Sequence, residues 1–266
     1  MWARLAVRRL FVHIRDYFVL RHDARCDGEE LGGLTPTEEE ARQWRTARAA
    51  ILLMGGSGVR RNEAAHARRE NLSAAVVTSG GPAKPSAKGL TRSSPKTAAS
   101  EAASETAPAQ TGTTVWALTI VGKRRKQRTI PVSAAAVAAL RAHWADREKD
   151  FDAPALAAPL IAPVVINGTE ASLAKHDGGT DGNSEAPYSA DALARLVREA
   201  VRRIAGDLLR EGALSYDAHA KLLATSAHAF RHTFGTRAVA RDMPIDVVQR
   251  ILGHASLQTT SIYYRL

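Results

Sequence analysis

The sequence predicts an α+β fold, mostly helical with a small antiparallel sheet. Several stretches place apolar residues at helical spacing behind capping residues, and two short runs rich in β-branched and aromatic residues flank a basic turn. No internal repeat points instead to a solenoid or an array.

The elements follow in order. Residues 2–22 set Trp2, Leu5, Leu10, Phe11, Ile14, Phe18 and Val19 among arginines, which predicts a basic amphipathic helix, and the polar stretch from His22 to Gly33 reads as a linker. A main domain would therefore span residues 34–266. Its first helix begins at Thr35-Pro36-Thr37-Glu38, with Thr35 as cap, Pro36 in the first helical position and Glu38 reaching back to the cap. It runs through Ala41, Trp44, Ala47 and Ile51 to Met54, where Gly55-Gly56-Ser57-Gly58 is expected to end it. Val59 to Ala64 opens another helix, and Asn71 to Val77 ends in a short strand.

Residues 78–112, dominated by Ser, Thr, Ala, Pro and Gly, lack hydrophobic periodicity and predict a disordered insertion. Val115–Ile120 and Gln127–Val132 predict two strands joined by the turn Gly122-Lys123-Arg124-Arg125-Lys126. Ser133 caps an Ala-rich helix through Val137, Leu140 and Trp144, and residues 167–187 read as a flexible loop. A helix from Ser189 to about Glu211 carries Leu193, Leu196, Val197, Val201, Ile204 and Leu208 on one face. Three short helices close the chain, at about 227–241, 244–252 and 256–264.

The balance of 37 Lys and Arg against 27 Asp and Glu, a formal charge of +10, points to a polyanionic partner, nucleic acid before anionic membrane. The single Cys26 excludes an internal disulfide and a thiolate-rich zinc site within the chain, and fits a reducing compartment. The most apolar run, residues 153–166, is broken by Pro154, Pro159 and Pro163, and the Arg-interrupted start makes a poor secretory signal, so a cytoplasmic location is the expectation.

The chemistry-bearing residues gather near the C-terminus. His228 and Arg231 stand three apart, on one face of a helix; His254 follows Gly253, a natural helix stop; Tyr263 comes nine residues later. Arginine forks suit a phosphodiester under attack, since they bind two oxygens and stay charged at any working pH. Arg231 and an arginine of the turn at Gly58-Val59-Arg60 would clamp it from two sides, with Arg61 a rival for Arg60. A phenol is a nucleophile only with help in losing its proton, and the departing oxygen needs a general acid; Lys123 and His228 are candidates. A zinc reading of His228, His232 and His254 lacks the glutamate that should follow the first histidine, since Ala229 stands there. His232 reads as a packing or supporting residue.

The order His228-Ala229-Phe230-Arg231, then Leu252-Gly253-His254, then Tyr263 resembles the C-terminal signature of the tyrosine recombinase (phage integrase) family. Gly58-Val59-Arg60-Arg61-Asn62-Glu63 resembles that family's box carrying its first catalytic arginine, and Gly122 to Pro131 resembles its basic β-hairpin. The resemblance spans residues 34–266 and implies the family's catalytic-domain fold, with Arg60 and Arg231 as phosphate clamps and Glu63 supporting Arg60. It implies Lys123 as general acid, His228 and His254 at the phosphate, and Tyr263 rather than Tyr264 as nucleophile. Arg61, Arg124, Arg125 and Lys126 would touch the DNA backbone. The implied activity is site-specific cutting and rejoining of double-stranded DNA through a 3′-phosphotyrosyl link, without metal, ATP or other cofactor, in a protein that self-associates as a dimer or tetramer on DNA. Arg231→Ala should then remove cleavage with little loss of folding. Residues 1–33 are too few for the family's separate core-binding domain and would be a remnant of it. The alternative is a truncated integrase that binds DNA or a partner without recombining; a type IB topoisomerase would share the chemistry.

Overall fold

The computed structural model describes residues 37–77, 113–122, 126–153, 157–165, 170, 186–224 and 226–263. The expected helix at 2–22, the linker after it, the insertion at 78–112, nearly all of the loop at 167–187, and Lys123, Arg124, Arg125 and Tyr264 lie outside these residues.

Helix α1 (Glu38–Ser57) forms the centre. Its cap is Thr37, two residues later than expected: the Thr37 hydroxyl accepts from Glu40 N–H and the Glu40 carboxylate accepts from Thr37 N–H, both at 3.2 Å. Both threonines have an acid three residues on, but a start at Thr37 sets Glu38, Glu39 and Glu40 together in the first turn, where the helix dipole favours negative charge. The C-terminal half is apolar nearly all round, with Ala47, Ala49, Ala50, Ile51, Leu53 and Met54 buried, as a helix covered on several sides requires. The helix also runs through Gly55 and Gly56, which were expected to end it. Packing outweighs the glycine penalty there: a methyl on Gly55 would meet Phe230, and one on Gly56 would meet Ser133, at contact distance. The stop comes at Gly58, in the left-handed conformation at φ 68°, where a Cβ would lie 2.6 Å from Phe234.

Helix α2 (Arg61–Ala65) follows at once, and a 3-10 turn (Arg69–Asn71) leads into the sheet. Strands β1 (Leu72–Val77), β2 (Thr113–Val121) and β3 (Gln127–Val132) form an antiparallel sheet in that order, with Leu72 opposite Leu118 and Leu118 opposite Ile130. Leu118, Ile120, Ile130 and Val132 turn inward to the core, while Pro131 takes the outward side of edge strand β3. Helix α3 (Ala134–Ala145), capped by Ser133, packs against α1 and β2; its Trp144 Nε1–H donates to Leu160 O at 3.0 Å.

Helix α4 (Ala190–Arg210) buries Leu193, Ala194, Val197, Val201, Ile204 and Leu208 along one stripe. Helix α5 (Tyr216–Leu223) had no counterpart in the sequence reading: it is two turns long and buries only Leu222, so its apolar period is too short to stand out. Its one local signal is Ser215, whose hydroxyl accepts from Ala218 N–H. Helices α6 (His228–Val239), α7 (Ile245–Leu252) and α8 (Leu257–Ser261) finish the chain, the last ending before Tyr263 rather than beyond it. No helix among the described residues is long and apolar enough to cross a membrane.

A fully buried histidine ties α1 to α3. His143 Nε2 accepts from Ala162 N–H at 3.2 Å and its Nδ1 lies 3.1 Å from the Thr46 hydroxyl, which itself donates to Arg42 O. Burial, reinforced by the charge of Arg147, pushes the imidazole down to about 3. The unfolded chain therefore takes up a proton at higher pH than the folded one. This contribution is complete above about pH 6.5 and is lost as pH falls toward 3, at up to about 1.4 kcal/mol per pH unit. Urea unfolding at pH 7, 5.5 and 4.5 should show a shallower pH slope for His143→Gln than for the wild type; equal slopes would refute the assignment.

Candidate active site

Gly58 and Gly253 both sit in left-handed conformations after a helix, and they bring the ends of α1 and α7 together. Arg231, on α6 and only 2 % exposed, fills the junction. Its Nη1 donates to Gly58 O at 2.8 Å and its Nη2 to Leu252 O, so one guanidinium satisfies carbonyls at two helix C-termini. Burial, and then repulsion from Arg60, pushes it down to about 10, which leaves it charged at neutral pH. The position of Gly253 is fixed further by the bonds from its own N–H to Arg250 O and from His254 N–H to Gln249 O, both 3.1 Å.

Arg60 precedes α2. The Glu63 carboxylate accepts its backbone N–H and its Nη1, each at 2.8 Å, and Arg60 Nη2 reaches Gly253 O at 3.4 Å. Arg61 points elsewhere, into an exposed ion pair of 2.9 Å with Asp191 on α4, which separates the two rival arginines. Glu63 also holds Arg128 of β3 in a two-pronged pair, Nη1 to Oε1 at 2.9 Å and Nη2 to Oε2 at 2.7 Å, while Arg128 Nε donates to Ile251 O at 3.0 Å. Burial pushes the Glu63 carboxyl up, but its bonds to Arg128 and Arg60 outweigh this and hold it below its ordinary value. Arg128 had no assigned role in the sequence reading. Its partners are 65 and 123 residues away, so no local spacing could reveal it. A Cβ on Gly253 would press on the Arg128 side chain at 3.1 Å.

The histidines and the tyrosine complete the cluster. His228, Arg231, His232 and Gly235 lie at i, i+3, i+4 and i+7, one stripe of α6. The Tyr263 ring lies on that stripe, where a Cβ on Gly235 would fall 2.6 Å from Tyr263 Cζ; only glycine leaves the ring its place. The Tyr263 hydroxyl is 3.2 Å from His232 Nδ1, and the ring stacks on His254 with centroids 6.3 Å apart and planes 11° apart. His228 meets His232 edge-on at 4.6 Å. His254 Nδ1 bonds the buried Thr260 hydroxyl at 2.9 Å. Burial, then Arg231, Arg60, His232 and Arg128, push His254 down to about 4, and burial followed by Arg231 and Arg60 lowers His228 as well. Burial raises the Tyr263 phenol above its ordinary value, with Arg231 pulling the other way.

Five of the six expected catalytic residues, Arg60, His228, Arg231, His254 and Tyr263, thus come from three separate parts of the chain to one place; the sixth, Lys123, lies outside the described residues. Gly122, next to it, is seated against the Arg128 guanidinium, and its N–H closes the base of the hairpin on Lys126 O at 2.8 Å. Lys126 itself is exposed. The cluster holds three guanidiniums, Arg60, Arg128 and Arg231, against one carboxylate, Glu63, which bonds only the first two, an excess of positive charge that favours a doubly coordinated oxyanion. Among the described residues, no group of three or more His, Cys, Asp or Glu side chains is placed to hold a metal ion.

Known proteins similar to this chain include several recombinases. The tyrosine recombinase XerC of Chromohalobacter salexigens is 30% identical over 149 residues, covering 56% of this chain and 38% of that protein. XerC of a Methylobacterium strain is 33% identical over 150 residues, again 56% of this chain and 35% of the relative. The chain thus spans well under half the length of these relatives. Among solved structures, the XerH site-specific recombinase bound to its difH substrate superimposes with a TM-score of 0.48 at 18% identity, over 91% of this chain and 47% of that one. The Phage integrase family model matches residues 110–266, more than half of the chain and the whole of the His228-to-Tyr263 region. The chain belongs to the phage integrase family.

Proposed function

We propose that the protein is a site-specific recombinase that cuts and rejoins duplex DNA through a covalent link between Tyr263 and the 3′ phosphate. The observation that carries this reading is the convergence of Arg60, Arg231, His228 and His254 around the buried Tyr263 ring. In this scheme the Tyr263 oxygen attacks the scissile phosphorus, the P–O5′ bond breaks, and the phosphotyrosyl ester keeps the backbone bond available for rejoining. Neither ATP nor a metal ion enters the scheme.

Each residue then has a distinct task. Arg231 uses two of its five N–H donors on carbonyls and turns the remainder, with Arg60, to the non-bridging oxygens. Glu63 and Arg128 hold Arg60 in aim. With Thr260 donating to His254 Nδ1, His254 Nε2 carries a hydrogen for the phosphate, and His228 serves as a proton carrier. Lys123, beside the seated Gly122, would protonate the departing 5′ oxygen. Arg61 and the hairpin cations Arg124, Arg125 and Lys126 would track the neighbouring DNA backbone, and protomers would pair on the duplex.

The role given to Arg231 changes one expectation. Its removal leaves two carbonyls unsatisfied in a buried junction, so Arg231→Ala should cost on the order of 3 kcal/mol in stability as well as abolishing cleavage. Urea unfolding would measure the first effect; an unchanged midpoint would contradict it.

Incubation with a randomised library of nicked duplexes, followed by denaturing isolation and sequencing of protein–DNA adducts, tests the reaction itself. An adduct on a restricted set of sequences that vanishes in Tyr263→Phe is expected. Failure to form one would favour a protein that binds DNA or a partner without recombining it, and relaxation of supercoils without sequence preference would favour a topoisomerase. DNA binding should fall steeply with salt, log K against log [salt] losing about 0.9 per phosphate contacted; a flat response would argue against the basic surface.

A further inference from the structure

Resting on the reading above, we infer that His232 is a catalytic residue of this site, the base that takes the phenolic proton of Tyr263. The family signature assigns the neighbouring positions His228 and Arg231, and on sequence alone His232 is a packing residue. The geometry places it closer to the chemistry than that. Its Nδ1 lies 3.2 Å from the Tyr263 hydroxyl, within the range in which a general base must stand from the proton it removes. No other hydrogen bond of that hydroxyl is found among the described residues.

Three features hold this contact. His232 follows Arg231, which is anchored at two helix ends. The Tyr263 ring is fixed from below by the absent side chain of Gly235 and from the side by His254. His228 lies edge-on against the His232 ring and restricts its rotation. The groups facing His232 include His228 from its own helix and Tyr263 and His254 from the C-terminal segment, with the charge of Arg231 alongside. His232 itself is solvent-exposed, which gives an accepted proton a route to water. A buried phenol beside an exposed imidazole has an outlet for its proton that none of the fixed guanidiniums supplies, because they are already fully protonated.

The step balances simply. The Tyr263 O–H proton passes to His232 Nδ1 as the phenolic oxygen forms its bond to phosphorus; the P–O5′ bond breaks, and the leaving oxygen takes its proton from a separate acid. On rejoining, the imidazolium returns the proton to the departing tyrosine oxygen.

The test uses the full chain and nicked duplexes carrying the site recovered from the library selection. His232→Ala and His232→Gln should each slow adduct formation about 10²-fold while leaving DNA affinity within twofold. In the wild type the cleavage rate should rise with pH and then level off as His232 becomes neutral. In both variants that break should disappear, the rate climbing about tenfold per pH unit toward the range where the phenol ionises by itself. Added imidazole should restore part of the His232→Ala rate and little of the His232→Gln rate, where the cavity is filled. A merely structural histidine would shift none of these pH and rescue behaviours. Variants that keep the wild-type pH break, or a His232→Ala protein that gains nothing from imidazole, would overturn the assignment to His232 while leaving the recombinase reading intact. A wild-type protein that forms no adduct at all would overturn both.

Discussion

A single buried cation bridging two helix ends organises this protein. Arg231 donates to Gly58 O and Leu252 O, and these carbonyls carry the negative poles of α1 and α7. The arrangement explains how a guanidinium that is almost fully enclosed stays charged: two oriented peptide dipoles replace the water it has lost. It also fits the left-handed glycines in which both helices finish. The left-handed turns carry the chain sharply away where the two carbonyls converge, and at Gly58 any side chain would strike Phe234 and Leu252.

Around that bridge, positive charge is in excess and only partly compensated. Glu63 joins Arg60 to Arg128 and receives the Arg60 backbone N–H as well, so one carboxylate orients two cations that would otherwise repel each other. His228 and His254 are both depressed, first by burial and then by the charges of Arg231 and Arg60, His254 to about 4. Bound negative charge would act against the arginines and make each imidazole easier to protonate.

Much of this was legible in the sequence, for reasons that can be traced. The His228–Arg231 pair, the stop at Gly253 and the step to Tyr263 depend on helical spacing and glycine chemistry, which are local properties. The strands around Trp116 and Ile130 showed through their β-branched content. Features that depend on distant neighbours did not show. Arg128 matters because β3 runs beside the end of α7, and Gly55 and Gly56 remain helical because Phe230 and Ser133 pack on them. Gly235 looks like an ordinary weak point in a helix until an aromatic ring from the chain's end is laid across it. His232 had a usable signal in its place on the His228–Arg231–Gly235 stripe, but the choice between chemistry and packing required the position of the Tyr263 hydroxyl.

The sheet has one further implication. Val77 and Thr113 are opposite each other in the β1–β2 ladder, so the polypeptide between them departs and returns at neighbouring points on the same rim. For a flexible connection between two such points, the closure entropy grows only logarithmically with its length. The penalty for joining strands β1 and β2 is thus set mainly by this shared rim and only weakly by how much chain separates its two sides.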